Sequence, residues 1–438
     1  MTDKIIGTFF SRIIVTAIML IIVIINTNTY GAEGTGTIAL LILGLTILQL
    51  FSNFVGGGTL VYLLPRSSFS QILLLTYSWS VVSNIAGIII LKALDLTPEG
   101  FDLLLLILSI INSFFQINIT LMQAKEEIKM FNLYHLFQVF LLISVFILLI
   151  LTNRYFQQEI DITIYVYALL ISYLIPLLFS FRFILKNIDK LYFAGIWRLF
   201  KEMFHLGIWV QLANFAQLMN YRLNYYLIEY FVGRKSLGVF EIGTKLSEAV
   251  WIFPKSIALV QYARLANCND QEYAKKLTTV FLKIVFLFSL LAVLLLLLIP
   301  AKTLAFIFGP EFHEAKKVIY CLAPGIVFLS CLSIFSHHFS GFGLYWINSV
   351  SSIIGLFVTL VLGLIFIPKA MFISNIAAIQ AAGLITSLSY LSSMLFSLVF
   401  FLKKTTATLK DFLITKADFR LLFNELSSLR QHFSKKKS

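Results

Sequence analysis

The chain has 438 residues, of which 59% are hydrophobic and only 13% are charged, and its mean hydropathy is +0.91. Soluble globular proteins contain about 25% charged residues, so this composition excludes an ordinary soluble domain and indicates a membrane protein with many spans. The net charge of +13 lies mainly in short loops and towards the carboxyl terminus, a placement typical of membrane topology rather than of nucleic-acid binding.

Helix-length apolar stretches follow one another along the chain. A transmembrane helix requires about 20 mainly apolar residues, and on this rule we expect an all-α polytopic membrane protein with about twelve spans. The predicted spans are Arg12–Tyr30, Thr37–Leu64, Ile72–Leu94, Leu103–Met122, Phe131–Leu151, Ile162–Ile184, Phe204–Phe231, Gly238–Tyr262, Leu277–Ile299, Val318–Gly341, Leu344–Ile367 and Ile376–Leu402. We interpret the first as a span rather than a removable signal peptide, because its polar exit Asn26-Thr27-Asn28 lacks a small-residue cleavage pattern.

Basic residues are distributed unevenly between the loops on the two sides. If both termini are cytoplasmic, the cytoplasmic loops hold most of the 34 Lys and Arg residues, and shifting the arrangement by one span would invert this bias. The sequence therefore predicts a multi-pass protein with both termini in the cytoplasm. Three basic residues fall inside predicted spans instead, and these are Arg222, Lys245 and Lys255.

The predicted spans form two sets of six, separated by the longest internal loop. We predict an amino-terminal bundle over 1–184, a cytoplasmic amphipathic connector over 185–203, a carboxyl-terminal bundle over 204–403 and a basic amphipathic cytoplasmic tail over 404–438. For the tail, a solvated segment that only fixes topology is the alternative.

A weak repeat relates the two halves of the chain. Gly31-x4-Gly36 ends the first loop of one half and Gly233-x4-Gly238 ends that of the other. Each pair precedes a long apolar span that ends in a basic residue. Such repeats are a common plan in transporters.

The eighth span contains an unusual cluster of charges. Glu241, Lys245, Glu248 and Lys255 are four, three and seven residues apart, a spacing that predicts one stripe on a helix. An ionisable group at membrane depth costs roughly 2.5–3.5 kcal/mol, so the cluster requires partners or a function. The alternating signs allow a self-paired structural ladder, and the alternative is a lining for a water-filled cavity. Pro254 predicts a kink in the same span.

The seventh span is rich in amides and contains an arginine. Asn214, Gln217 and Asn220 share one helical face, and Arg222 lies on a neighbouring one. Amides can hydrogen-bond sugar hydroxyls and arginine binds phosphate through its rigid fork, whereas interhelical bonding is the alternative role of the amides.

The first half has no carboxylate away from the span ends, and Arg12 lies at the cytoplasmic end of its first span. If the halves face each other, we expect a polar cavity that is net basic towards the cytoplasm.

No motif in the sequence predicts an enzyme. The chain has no nucleophile elbow, no phosphate-binding glycine loop and no cluster of metal ligands. Cys268, Cys321 and Cys331 form no CxxC pair and predict neither a disulfide nor a zinc site. We therefore predict no catalytic residue, metal or cofactor, and transport energy would come from an H+ or Na+ gradient or from the substrate gradient.

Three stretches carry a resemblance to a known family through their order and spacing: Tyr30–Arg66, Asn220–Ser256 and Phe308–Ser330. They resemble the Wzx-type polysaccharide and O-antigen flippases of the multidrug/oligosaccharidyl-lipid/polysaccharide (MOP) exporter superfamily. The resemblance implies two six-helix bundles related by a pseudo-two-fold axis, arranged in a V as in the MATE transporters, with alternating access to a central cationic cavity. The implied substrate is an undecaprenyl-diphosphate-linked oligosaccharide of O-antigen, capsule or exopolysaccharide, flipped across the bacterial inner membrane.

Roles for individual side chains follow from this resemblance together with the residue chemistry. We predict that cationic side chains attract the diphosphate, that amides of span seven contact sugars, and that the carboxylates pair with the cations or couple an ion. The substrate-binding set is Arg222, Lys245, Lys255, Arg12, Asn214, Gln217 and Asn220, and the pairing or coupling set is Glu241, Glu248 and Asn224. Similar sequences often have Asp where this chain has Asn224, so a carboxylate is missing at that position.

The expected partners are the lipid-linked oligosaccharide, membrane lipid and other membrane proteins of polysaccharide assembly. The chain is expected to be a monomer and to bind no nucleic acid.

Two alternative functions stay open. A MATE-like drug or cation antiporter would use membrane carboxylates, which the first half lacks. A membrane glycosyltransferase or polymerase would require a large external loop with catalytic residues.

Overall fold

The computed structural model describes residues 2–190, 193–265 and 270–412, and within these ranges all regular secondary structure is helical. The helices are α1 (Thr2–Ser52), α2 (Gly58–Leu63), α3 (Phe69–Ala93), α4 (Asp102–Ala124), α5 (Ile128–Tyr155), α6 (Ile162–Asn187), α7 (Ile196–Phe231), α8 (Arg234–Ala249), α9 (Ile252–Leu265), α10 (Gln271–Leu298), α11 (Ala301–Phe308), α12 (Ala315–Gly341), α13 (Tyr345–Met371) and α14 (Asn375–Lys404). The predicted all-α polytopic fold is confirmed. Residues 413–438 of the predicted tail lie outside the described residues, as does Cys268.

Nine stretches of the described chain are long and apolar enough to cross a membrane. The first, Ile13–Leu63, has 51 residues and contains a break at Gly31, so it corresponds to the first two predicted spans. The predicted seventh span lies in α7, whose many polar side chains lower its hydropathy, and the predicted eighth is divided between α8 and α9. The protein is therefore a multi-pass membrane protein, and its least apolar helices are those that contain the predicted charged site.

The two glycines of the weak repeat adopt the same unusual backbone. Gly31 has φ 64° and ψ −163°, and Gly233 has φ 108° and ψ 167°. This region is essentially restricted to glycine, because a Cβ would clash with the backbone there. Gly31 interrupts α1 and Gly233 precedes α8, so each glycine turns the chain into the second span of its half.

Both of these second spans are broken before they end. In the first half, residues 53–57 separate α1 from α2, and Gly57 has φ 56°. In the second half, Val250 and Trp251 separate α8 from α9. Pro254 explains this second break, because its ring lacks an N–H for the Val250 carbonyl and clashes with that carbonyl. The predicted single eighth span was wrong as a continuous helix, and the predicted kink lies one turn before Pro254.

The chain forms two compact units, one up to Phe215 and one from Ala216, and the division falls within α7. Residues 196–203 of the predicted connector form the first turns of α7. The predicted domain boundaries themselves stay predictions.

Amide side chains tie the helices of the first unit together. Gln49 on α1 accepts hydrogen bonds from Asn112 (3.0 Å) and Ser113 on α4. Asn118 on α4 accepts from the Tyr77 hydroxyl on α3 (2.6 Å) and donates to Ser180 on α6 (2.7 Å). These amides thus form hydrogen bonds between helices, which stabilises packing where lipid offers no hydrogen-bond partner.

The segment after α6 is fastened to the start of α3 by Asp189. Its carboxylate accepts hydrogen bonds from the Ser68 hydroxyl (2.8 Å) and from the N–H groups of Phe69 (3.1 Å) and Ser70 (2.9 Å). These are first-turn N–H groups that lack a partner within the helix. Although burial raises the pKa of Asp189, the hydrogen bonds from Ser70, Ser68 and Phe69 outweigh it and lower the pKa to about 2.

Replacing Asp189 with Ala is expected to destabilise the first unit by about 1 kcal/mol at neutral pH, as for the loss of other helix caps. Because the folded pKa lies below the unfolded value of about 3.9, the contribution of the charge is present above pH 4 and is lost as the pH falls towards 2. Melting temperatures in detergent between pH 7 and pH 3 measure this effect. Asp189→Asn keeps an acceptor oxygen and serves as the control without a titrating charge. An equal pH dependence in wild type and Asp189→Asn would contradict the assignment.

In the second unit, α12 is the central helix and packs against α8, α9, α10 and α14. In the apolar segment of its span, 83% of the residues are buried, a larger share than in any of the other candidate spans in the described chain. Small residues allow these close approaches. A Cβ on Gly243 of α8 would lie 2.7 Å from the Val318 side chain of α12, so the α8 backbone lies directly against the central helix.

Candidate functional site

A two-bond ion pair joins α7 to α8 in the second unit. The Arg222 guanidinium donates through Nη1 and Nη2 to the two carboxylate oxygens of Glu248, at 2.8 and 2.7 Å. The side chains of Arg222 and Glu248 are 24% and 18% exposed, respectively, so the pair is only partly buried. Parallel bonds between a guanidinium and a carboxylate are among the strongest hydrogen bonds in proteins. This pairing explains how a membrane helix tolerates Arg222.

The second carboxylate of α8 is held differently. Glu241 is only 6% exposed, accepts a hydrogen bond from the Tyr225 hydroxyl, and forms an ion pair with Lys245 one turn later (2.7 Å). Lys245 itself is 43% exposed. The Arg222 guanidinium also lies 5.1 Å from the centre of the Tyr225 ring, a cation–π distance. Tyr225 therefore links the two ion pairs.

Lys255, the fourth residue of the predicted stripe, lies on a different helix from the other three. Lys255 lies on α9, beyond the break at residues 250–251, and its ammonium lies 3.7 Å from the centre of the Trp251 ring. The stripe predicted for one continuous helix is therefore interrupted before Lys255, because residues 250–251 separate α8 from α9. The self-paired ladder is found between Glu241 and Lys245, whereas Glu248 pairs with the neighbouring helix.

The amides predicted to bind sugars fall into two groups. Asn214 and Gln217 are exposed, and they donate to Gln211 (3.1 Å) and to the Tyr221 hydroxyl (3.1 Å), respectively. Asn220 is only 3% exposed and accepts a hydrogen bond from Ser389 of α14 (2.6 Å). Asn214 and Gln217 thus each keep an exposed side chain, whereas the placement of Asn220 favours the interhelical role.

Asn224 is also a contact between helices. It is 3% exposed and its amide donates to Thr386 (2.7 Å) and to the Ala382 carbonyl (3.2 Å) of α14. The remaining predicted residue, Arg12, belongs to α1, but its side chain lies outside the described residues.

Sequence reasoning missed two aromatic members of the cluster. Tyr225 lies three residues after Arg222 and could have been found as its neighbour on the helix surface. Trp251 is positioned by the break between α8 and α9, and its ring also meets Tyr221 edge-on at 5.7 Å. The break follows from Pro254, but the contact between Trp251 and Tyr221 does not follow from the sequence.

The cluster as a whole contains three cations and two carboxylates: Arg222, Lys245, Lys255, Glu241 and Glu248. Arg222 and Lys245 pair with the two carboxylates, and the formal charges of the five groups add up to +1. Among the described residues, no group of three His, Cys, Asp or Glu side chains could hold a metal ion. Such a partly exposed, net cationic surface with a guanidinium fork is suited to bind an anion.

Comparisons with known proteins identify the family. Residues 98–317 match the family described as "Polysaccharide biosynthesis protein", which is half of the chain. The chain is 24% identical over 204 residues to the capsular polysaccharide biosynthesis protein CapF of Staphylococcus aureus, a match that covers 46% of this chain and 52% of CapF. The chain thus spans about half the length of this curated relative.

Solved structures show the fold. An inward-facing MATE family multidrug resistance transporter of the MOP superfamily superposes with a TM-score of 0.68 at 15% identity, covering 90% of this chain and 96% of the transporter. The lipid II flippase MurJ, in an inward closed conformation, gives a TM-score of 0.68 at 15% identity, with coverages of 94% and 89%. At 15% identity these neighbours show the fold of this chain. The chain belongs to the polysaccharide biosynthesis protein family and has the all-α fold of the MOP-superfamily transporters.

Proposed function

We propose that this protein flips an undecaprenyl-diphosphate-linked oligosaccharide from the cytoplasmic to the outer face of the bacterial inner membrane by alternating access. The observation that carries the proposal is the fork of Arg222, which holds a carboxylate with two hydrogen bonds in a partly exposed position. Phosphate oxygens fit the same fork. Family membership and the name of CapF support a glycan as cargo, and the flippase MurJ has the same fold.

The remaining charges extend this site. Lys245 is 43% exposed and lies on α8, the helix whose Glu248 pairs with Arg222, so it supplies a second cation to the site. Lys255 adds a third beyond the break, where a discontinuous helix is a common feature of transporter binding sites. The exposed amides of Asn214 and Gln217 suit sugar hydroxyls. Arg12, at the cytoplasmic end of its span, would attract the substrate on entry.

Energy coupling and context complete the proposal. Glu241 and Glu248 are the carboxylates available for an H+ or Na+ step, while Asn224 supplies none. The protein lies in the inner membrane with both termini in the cytoplasm, as the distribution of basic residues predicts. It acts as a monomer and passes its product to other membrane proteins of polysaccharide assembly.

Deleting the protein from its host is expected to abolish surface glycan and to cause the lipid-linked intermediate to accumulate, because synthesis continues while export stops. Both quantities are measured in the same cells, by glycan staining and by extraction of the lipid-linked pool. Complementation with the intact chain is the control. Unchanged glycan together with increased sensitivity to cationic drugs would contradict the flippase and favour the MATE-like antiporter. Loss of glycan without any lipid-linked intermediate would favour a glycosyltransferase or polymerase.

A further inference from the structure

We infer that Glu248 sets the specificity of the Arg222 site, so that a diphosphate is accepted and the singly charged phosphates of ordinary membrane lipids are rejected. The inference rests on the proposed function and concerns the same site. In the structure both terminal nitrogens of Arg222 are already engaged by the two oxygens of Glu248. An anion that binds this same two-bond face of Arg222 must therefore displace a carboxylate held within the protein.

The charge of the incoming group decides whether this exchange is favourable. A phospholipid phosphodiester has one negative charge, the same as the carboxylate it would replace, so the exchange gains little electrostatic energy. A diphosphate has at least two charges and more acceptor oxygens, so its attraction to the fork exceeds that of the carboxylate. Phospholipids surround the protein in large excess. Without a competing carboxylate, they would therefore occupy the Arg222 guanidinium.

The structure also provides a partner for Glu248 after it is displaced. Lys245 lies three residues earlier on α8, a spacing at which side chains meet on a helix surface. Lys245 is 43% exposed, which leaves its side chain room to reorient. The carboxylate it now contacts, Glu241, keeps its hydrogen bond from Tyr225. Because an ammonium has three N–H donors, Lys245 can contact Glu248 without leaving Glu241, so the exchange avoids an unpaired charge in the membrane, whose cost would oppose substrate binding.

The two carboxylates differ in a way that suits only one of them for this exchange. Glu241 is 6% exposed and has two partners, a lysine and a tyrosine hydroxyl. Glu248 is 18% exposed beside an arginine that is 24% exposed, so an approaching anion can reach this pair. Glu248 is therefore the carboxylate that competes with an incoming anion for Arg222, whereas Glu241 keeps its position.

Binding measurements on the full-length protein in detergent micelles test the inference. The probes are farnesyl diphosphate and dihexanoyl-phosphatidylglycerol, titrated by calorimetry, and the readout is the ratio of their two dissociation constants. The wild type is expected to prefer the diphosphate. Glu248→Gln removes the competing charge and keeps the side-chain shape, and is expected to reduce this preference by about tenfold, mainly through tighter phosphatidylglycerol binding. Because tail contributions are the same in both proteins, a change in the ratio reports the head group.

The control is Glu229→Gln, which neutralises a carboxylate of α7 that is paired with Arg234 at 2.7 Å. It is expected to leave the ratio unchanged, and an equal fall in the ratio would overturn the inference because any lost carboxylate would then suffice. If Glu248→Gln does not yield a monodisperse protein, Glu248→Asp, which shortens the competitor, is expected to reduce the preference by roughly threefold. A preserved ratio in a folded Glu248 variant overturns the inference.

The wild-type data separate this inference from the proposed function. If the wild type prefers the diphosphate and Arg222→Ala removes that preference, the diphosphate site stands, and only the Glu248 variants decide the origin of specificity. If the wild type shows no preference, both the diphosphate site and the role of Glu248 are overturned.

Discussion

Replacing Arg222 with Ala is expected to abolish export of the lipid-linked glycan and to lower the stability of the second unit. The substitution removes the fork that we propose binds the diphosphate, and it leaves Glu248 as a partly buried charge without its two hydrogen bonds. Loss of hydrogen bonds to a charged partner costs about 2 kcal/mol. Export is measured as surface glycan and as accumulated lipid-linked intermediate, and stability as the melting temperature of the purified protein in detergent.

The double variant Arg222→Ala/Glu248→Ala separates the two effects. It removes Glu248 as well as Arg222, so much of the lost stability is expected to return, because replacing a whole buried pair by neutral side chains is often tolerated. Export is expected to stay absent, because no group replaces the guanidinium. Restored export in the double variant would show that the pair is structural.

A matched control tests whether any arginine pair in this unit gives the same result. Glu229 pairs with Arg234 at 2.7 Å near the turn between α7 and α8. The double variant Glu229→Ala/Arg234→Ala removes a pair of the same chemistry and is expected to leave export intact. Loss of export in this control at normal protein levels would contradict a special role for Arg222.

Replacing Gly207 with Ala is expected to give the largest loss of stability in the first unit. A Cβ at this position of α7 would lie well inside van der Waals contact with the carbonyl oxygen and carbonyl carbon of Phe54, in the break between α1 and α2. Because those atoms belong to the backbone, the helix or the break must move, and overpacking of this kind costs about 1–3 kcal/mol. The Phe54 ring packs edge-on against Phe204 of α7, so a shift of α7 would also disturb this contact.

Gly58 offers the control for this prediction. It opens α2 just after the same break, and no other atom lies within 4 Å of the position its Cβ would occupy. Gly58→Ala is therefore expected to leave stability unchanged or raise it by up to about 1 kcal/mol through helix propensity. Melting temperatures of the two variants are compared in one detergent. Equal melting temperatures would show that α7 and the break can separate without cost.

The sequence alone determined the class of fold and the position of most helices. A bilayer imposes a minimum length of apolar residues on every span, so hydropathy reveals spans without knowledge of their neighbours. Local chemistry also indicated the interruptions, since Pro254 predicted a kink and the Gly31 and Gly233 repeats marked the entry to the second span of each half. These features depend on backbone geometry over a few residues, which is why they can be read from the chain.

The partners of the candidate site were decided by tertiary structure. Arg222 has no carboxylate within one turn of its own helix and pairs with Glu248, 26 residues later on α8. Asn220 and Asn224 bond to α14 across more than 150 residues, although periodicity placed Asn220 on a face with the exposed Gln217. Helical spacing shows which side chains share a face of one helix, but it contains no information on which helix lies opposite. Only the packing of α7 against α8 and α14 decided which polar groups are buried contacts and which remain accessible to a substrate.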